Sequence, residues 1–207
     1  MDHAVALVQA YLHVNGYFTV AEYPVLEALR EGGYKTATDI DLLALRFPHA
    51  GGPQAIPNRE TGEDLAFQPD PALKARDDRA DLLIIEVKEG RAELNKGARN
   101  PAVLTAVLRR WGFCPADHLP EALEGLKRKG VADIPGGPMI RMLAFGSVID
   151  PKRVHGFLAI SLDHVFSYLR GYVREHWDIL RHAQIKQPAF GFLALLEQAG
   201  RSAEGEA

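Results

Sequence analysis

Two pairs of charged residues at alternate positions could carry chemistry in this chain. Asp39 and Asp41 lie two residues apart in an aliphatic segment, and Glu86 and Lys88 end a later apolar run. Side chains two apart in a strand project from the same face. If the two segments are antiparallel neighbours, Asp41 lies beside Glu86. Two hard carboxylates with a lysine are what a Mg²⁺ or Mn²⁺ site for phosphodiester hydrolysis requires, because the ion activates water and the lysine stabilises developing negative charge.

The size and composition of the chain limit the classes of protein that could present this site. Its 207 residues fit one ordinary domain, and 47% hydrophobic with 25% charged residues is a globular composition. The single cysteine, Cys114, excludes an internal disulfide and a Cys-rich zinc module, which fits a reducing compartment. No apolar run reaches the roughly 18–20 residues of a membrane span. We therefore expect a soluble, cytoplasmic protein that does not contact membranes.

The apolar patterning predicts alternating helices and strands. Asn100 followed by Pro101 is a typical helix start, since the asparagine can cap the first turn and proline suits the first helical position. The predicted helices cover 3–15, 101–111, 119–129, 161–182 and 188–200, and the predicted strands cover 17–26, 36–47, 82–87, 139–145 and 154–160. Both pairs of charged residues thus lie on strands.

One long segment lacks any such period. Residues 48–80 are rich in proline and glycine and carry scattered charges, which is typical of an insertion or a functional loop. We expect a single domain over residues 1–200 with this insertion inside it, and a frayed tail over 201–207.

Charge is unevenly distributed along the chain. The net charge is −3, but acidic residues outnumber basic ones in residues 1–90 and the reverse holds in residues 91–186. This pattern fits a carboxylate-rich site beside a surface that meets phosphates, although interleaving of the segments in three dimensions could cancel it. The candidate phosphate contacts are Lys96, Arg99, Arg109 and Arg110.

Two motifs resemble a known superfamily. The segment Asp-Ile-Asp-Leu-Leu-Ala (39–44) followed by Ile-Ile-Glu-Val-Lys (84–88) is similar to the core of the PD-(D/E)XK nucleases, which include restriction enzymes and Holliday-junction-resolvase-like enzymes. The resemblance implies an α/β protein of the restriction-endonuclease-like fold: an α-β-β-β-α-β core with a central mixed sheet flanked by helices, here with extra C-terminal helices. The predicted elements follow that order over about residues 3–160.

The resemblance also implies roles for individual residues. Asp41 and Glu86 would be metal ligands, the carbonyl of Val87 would be a further ligand, and Lys88 would be the catalytic lysine. The cofactor would be Mg²⁺ or Mn²⁺ and the substrate DNA, so the expected activity is that of a metal-dependent endonuclease, a hydrolase. A homodimer is among the oligomeric states we consider.

Two positions, Gln9 and Asp70, depart from the family pattern or compete with it, and Asp39 and Asp81 are two further acidic candidates. Many members carry a glutamate in the first helix; here Gln9 either replaces it or that ligand is absent. Asp39 is either an accessory residue beside the ligands or an exposed strand entrance. Asp70 follows Pro69 and would satisfy the motif literally, but it lies between two prolines where no strand holds a ligand, so Asp41 is preferred. Asp81, at the start of its strand, is expected to face solvent.

Two other functions stay open. A catalytically inactive member would keep the fold as a module that binds nucleic acid or protein, and the missing helical glutamate favours it. A small-molecule enzyme on an unrelated α/β sheet is the third reading. The complete set of Asp41, Glu86 and Lys88 favours catalysis.

Overall fold

The structure, a computed structural model, describes residues 2–52, 67–112 and 114–204 of the chain. Its helices are α1 (His3–Val14), α2 (Pro101–Trp111), α3 (Leu119–Lys129), α4 (Leu162–Glu175), α5 (Trp177–Leu180) and α6 (Pro188–Glu204). Its strands are β1 (Tyr17–Ala28), β2 (Tyr34–Arg46), β3 (Asp81–Arg91), β4 (Val131–Asp133), β5 (Met139–Val148) and β6 (Leu158–Ser161).

The six strands form one mixed sheet, so the described part of the chain is an α/β protein. The strand order is β1-β2-β3-β5, and β5 carries β4 beside its first residues and β6 beside its last. β2 is antiparallel to both of its neighbours, β1 and β3, whereas β3 and β5 are parallel. The parallel pair needs a crossover, which α2 and α3 supply.

Alternate residues of the central strand serve two separate cores. Leu83 and Ile85 pack with α1, α4 and α6, while Leu82 and Ile84 pack with α2 and α3. Glu86 continues the second series, because it lies two residues beyond Ile84. The carboxylate therefore lies on the α2 side of the sheet, near the end of the part of β3 that is buried on both faces.

β1 and β2 change faces part-way along their length. Tyr17 belongs to the core on the α1 side and Val25 to the core on the α2 side. The two are an even number of positions apart, so a regular strand would place them on the same face. β2 does the same between Ile40 and Leu42. At the level of the change, Glu22 of β1 has φ 51°, a left-handed conformation that is uncommon outside glycine. The outer half of the hairpin is thus turned over the α2 side.

Three elements differ most from the sequence-based predictions. The helix predicted over 161–182 ends at Glu175, where the His176 ring packs on Tyr172 at 4.4 Å, and α5 follows. The strand predicted over 154–160 is confined to Leu158–Ser161. α6 continues past residue 200 to Glu204, so residues 201–204 of the predicted frayed tail are helical, and residues 205–207 lie outside the described chain.

Part of the predicted insertion is also ordered. Residues 53–66 lie outside the described residues, but Pro71–Leu73 form a 3-10 turn whose Leu73 is fully buried. No helix in the described ranges is long and apolar enough to cross a membrane.

Candidate active site

Asp41 lies where β2 and β3 separate. The register between the two strands ends at Leu42 opposite Ile85, so Asp41 is the next residue of β2. Its Oδ2 accepts a hydrogen bond from the Val87 N–H at 2.7 Å. The Asp41 side chain thus takes the place of the backbone carbonyl that the Val87 N–H loses when β2 turns away from β3. This hydrogen bond fixes the carboxylate beside the Glu-X-Lys segment.

Glu86 is fully buried and its two oxygens have different surroundings. Oε2 accepts hydrogen bonds from Lys88 Nζ at 3.0 Å and Asn95 Nδ2 at 2.8 Å. Oε1 is buried and has no hydrogen-bond partner in the structure. A buried carboxylate oxygen without a partner is costly, so such an atom marks a place where a cation or a water belongs.

The surroundings of Glu86 make it a weaker acid than an exposed glutamate. Burial and, second, the negative charge of Asp41 raise the pKa of Glu86 to about 7, against the opposing effects of Lys88 and Asn95. Near neutral pH the metal-free site therefore exchanges a proton at this carboxyl. A bound cation would favour the ionised form.

Lys88 joins the two carboxylates. Its Nζ lies 3.3 Å from Asp41 Oδ2 and 3.0 Å from Glu86 Oε2, so these oxygens cannot be further apart than the sum of the two distances. Burial would lower the pKa of Lys88, but its interactions with Glu86 and Asp41 outweigh it and raise the pKa. The ammonium is thus charged at neutral pH, and with 36% of its side chain exposed it borders solvent.

The oxygen atoms of this site suit a hard cation. Two carboxylates and a backbone carbonyl are oxygen ligands of the kind Mg²⁺ and Mn²⁺ prefer, and Glu86 Oε1 is an acceptor with no partner. Among the described residues no group of three or more His, Cys, Asp or Glu side chains could hold a metal ion. The arrangement therefore fits an ion that draws its remaining ligands from the backbone, water or substrate.

Asn95 is a site residue whose role the sequence did not predict. Its Nδ2 donates to Glu86, and its Oδ1 accepts the Ala98 N–H at 2.6 Å, which fixes the amide in place. Gly97 keeps this turn against β2, because a Cβ at Gly97 would lie 2.3 Å from Thr38 Oγ1. The only signal in the sequence is a short polar side chain followed by glycine two residues later.

Replacing Asn95 with alanine is expected to weaken Mn²⁺ binding by about 10–100-fold, because Glu86 loses the bond that orients it. Isothermal titration calorimetry measures the effect. Asn100→Ala is the matched control: it removes the cap of α2, where Asn100 Oδ1 accepts the Ala102 N–H at 2.9 Å, without touching Glu86. Equal Mn²⁺ affinities in the two variants would contradict a positioning role for Asn95.

In the described part of the chain, neither accessory candidate has a hydrogen bond to Asp41, Glu86 or Lys88. Gln9 Nε2 donates to Thr19 Oγ1 at 3.2 Å, so it links α1 to β1. Asp39 is exposed opposite Pro24.

The candidate phosphate contacts are all exposed. Lys96 lies in the turn after Asn95, and Arg109 and Arg110 occupy the last turn of α2, where cations complement the helix dipole. Arg99 donates from Nη2 to the His155 carbonyl at 2.9 Å and stacks on Phe157 with 5.5 Å to the ring centroid. It thus links the turn that follows Asn95 to the turn before β6.

Asp70 lies in an ordered segment, although a proline stands on either side of it. It is buried, and its Oδ2 lies 2.7 Å from the Tyr11 hydroxyl and 2.6 Å from His164 Nε2. Its Oδ1 accepts the Ala72 N–H at 2.9 Å. Two prolines do not prevent an ordered carboxylate here, because α1 and α4 supply its partners. This cluster lies on the α1 side of the sheet, opposite Glu86.

Asp70→Ala is expected to lower the free energy of unfolding by about 3 kcal/mol, since it leaves the Tyr11 hydroxyl buried without its acceptor. Mn²⁺ binding should be unchanged in the folded protein. Urea denaturation and calorimetry measure the two quantities. Asp78→Ala is the control: removing this exposed partner of Arg76 should leave the free energy of unfolding nearly unchanged. Loss of Mn²⁺ binding in folded Asp70→Ala would place the site elsewhere.

The stability of the metal-free protein should fall as pH rises from about 4.5 to about 7. The pKa of Glu86 is about 7 in the folded protein and near 4.5 in the unfolded chain. Between these two pH values the folded state therefore binds more protons than the unfolded state. Glu86→Gln removes this dependence. The difference in unfolding free energy between wild type and variant, measured in EDTA, should change by up to roughly 3 kcal/mol across the interval. A constant difference would contradict the raised pKa of Glu86.

Comparisons of the chain with protein-family models, with curated proteins and with solved structures returned no match.

Proposed function

We propose that this protein is a metal-dependent endonuclease of the restriction-endonuclease-like fold that hydrolyses DNA phosphodiester bonds. The observation that carries the proposal is the convergence of Asp41, Glu86 and Lys88 at the point where β2 leaves β3, with one buried oxygen of Glu86 lacking a partner. The chain order α1-β1-β2-β3-α2-β5 supports it, because the helices and strands follow the expected core sequence with α3 and β4 added.

The ion would be held by the carboxylates of Asp41 and Glu86 and by the carbonyl of Val87. Mg²⁺ or Mn²⁺, when bound, polarises the scissile phosphate and lowers the pKa of a water molecule. The contribution of the chain is to hold these oxygens in place. Asp41 is fixed by the Val87 N–H, and Glu86 is fixed by Asn95.

Lys88 supplies the positive charge that the chain itself brings to the reaction. Its ammonium is protonated at neutral pH and partly exposed, so it can turn from the carboxylates to a non-bridging phosphate oxygen. Charge on that oxygen grows in the transition state, so a fixed cation beside it stabilises the transition state more than the ground state.

One observation favours the inactive alternative. Gln9 bonds to Thr19 of β1, and the described residues hold no third acidic or histidine ligand near Asp41 and Glu86. A member that kept the fold but lost part of its ligand set would bind DNA or protein without cleaving it.

Cleavage assays with the full chain separate these functions. Linear duplex, single-stranded and branched DNA are incubated with the protein and Mg²⁺ or Mn²⁺, with EDTA as the control. We expect Mn²⁺-dependent cleavage of at least one substrate, and Mn²⁺ binding by calorimetry. DNA binding without cleavage under all conditions would establish the inactive module, and the absence of both would reject nucleic acid as the partner.

A further inference from the structure

α6 is apolar on two of its faces. Phe190 and Leu193 are buried against α1 and α4. Phe192, Leu195 and Leu196 point the other way and are 60%, 58% and 51% exposed. With the exposed Ala199 these residues repeat at i, i+3, i+4 and i+7, which is one continuous stripe on a helix. A helix that is apolar on two opposite faces typically packs against protein on both of them.

The area of this stripe matches what an interface needs. Phe166 of α4 is 38% exposed, and at roughly 200 Å² for a whole aromatic ring the two phenylalanines and two leucines expose on the order of 400 Å². Patches of this size on a monomer are commonly interaction sites. A standard interface takes about 800 Å² from each partner, of which somewhat more than half, about 450 Å², is apolar.

The charged side chains around the stripe are engaged within the chain. Glu197 pairs with both Arg174 and Arg201, each through a 3.0 Å contact between Nε and a carboxylate oxygen. Arg170 stacks on Phe166 at 5.5 Å from the ring centroid. The four side chains carry a net charge of +2, but each already has a contact within the chain, which leaves the apolar side chains of the stripe as its free surface.

We infer that a second copy of this chain covers the stripe, with the two α6 helices packed antiparallel about a two-fold axis between Leu195 and Leu196. In that register Phe192 lies against the partner's Ala199, and Leu195 lies against the partner's Leu196. The largest side chain meets the smallest one, and the two leucines meet at the centre. A two-fold contact requires such self-complementarity, because each residue pair occurs twice.

The interface is independent of the proposed nuclease site. α6 packs on the α1 side of the sheet, whereas Glu86 lies on the α2 side. The inferred dimer therefore leaves both sites accessible, and dimerisation can be tested without DNA or metal.

Sedimentation equilibrium of the full chain tests the dimer. We expect twice the monomer mass of 22.8 kDa at micromolar concentration. The double variant Leu195→Glu/Leu196→Glu should sediment as a folded monomer. Leu26→Glu, an equally exposed position on β1 at 59%, should remain dimeric. A monomer at all concentrations, or a dimer that survives the double substitution with unchanged far-ultraviolet circular dichroism, would overturn the inference.

Oxidative cross-linking tests the register in a Cys114→Ser background. The pair Phe192→Cys/Ala199→Cys should form an intermolecular disulfide, because the two positions face each other across the axis. Phe192→Cys alone should not, since seven residues at about 1.5 Å each separate the two copies of that position by about 10 Å, beyond disulfide reach. A cross-link through Phe192→Cys alone would indicate parallel helices, and no cross-link in either variant would place the interface elsewhere; both results reject the inferred packing.

Discussion

Replacing Lys88 with alanine is expected to lower Mn²⁺-dependent DNA cleavage by roughly two to three orders of magnitude, the usual effect of removing one fixed electrostatic group. The ammonium contacts Asp41 and Glu86 and borders solvent, so its loss removes charge stabilisation in the transition state. Single-turnover cleavage at saturating Mn²⁺ measures the chemical step. DNA affinity should change little, because other basic residues supply the salt-dependent phosphate contacts.

Lys96→Ala is the matched control for this experiment. Lys96 is an exposed lysine in the turn next to Asn95, so its removal tests charge near the site without removing charge from the carboxylates. We expect its cleavage rate to stay within a few-fold of wild type. If Lys88→Ala weakened DNA binding and left the rate of the bound complex unchanged, Lys88 would be a binding residue and not a catalytic one.

The convergence of Asp41, Glu86 and Lys88 could be predicted from local patterns. A buried aliphatic run ending in charge identifies a central strand, and period two places Glu86 and Lys88 on one face. The face on which Asp41 lies could not be predicted in the same way, because β2 changes faces next to it. Asp41 reaches β3 through its bond to the Val87 N–H, and that bond exists only because the strands separate there.

Buried polar clusters depend on partners far apart in the sequence, and they were mispredicted. Asp81 was expected to face solvent, but it is fully buried and binds Arg141 Nε at 2.9 Å and the Tyr17 hydroxyl at 2.6 Å. Asp70 is buried in the same way through α1 and α4. A strand end or a proline-rich loop gives no local sign that an arginine or tyrosine from another element will meet it.

The end of α6 was mispredicted for a different reason. Gly200 is a common helix terminator, but the helix continues because Arg201 pairs with Glu197 one turn earlier and stacks on Trp177 at 5.4 Å from the ring centroid. The ion pair has the favourable i, i+4 spacing. The aromatic partner comes from α5 and could not be inferred from the sequence of α6.

Replacing Asp41 with asparagine should abolish Mn²⁺ binding and lower cleavage by roughly three orders of magnitude or more, because one of the two proposed carboxylate ligands loses its charge. The amide oxygen can still accept the Val87 N–H, which Asp41 Oδ2 accepts at 2.7 Å, so the fold is expected to be preserved. Asp41→Ala should lose the same functions and also reduce stability by about 1–3 kcal/mol, because that N–H loses its acceptor. Calorimetry with Mn²⁺, cleavage assays and urea denaturation measure the three quantities.

The comparison with Asp70 makes this prediction decisive. Asp70→Ala should show the opposite pattern to Asp41→Asn: reduced stability with Mn²⁺ binding and cleavage per folded molecule intact. The two carboxylates lie on opposite faces of the sheet and bond to different elements. If Asp41→Asn kept its Mn²⁺ affinity and Asp70→Ala lost it, the metal would be held on the α1 side among Tyr11, His164 and Asp70, and the proposed assignment of Glu86 and Lys88 would be wrong with it.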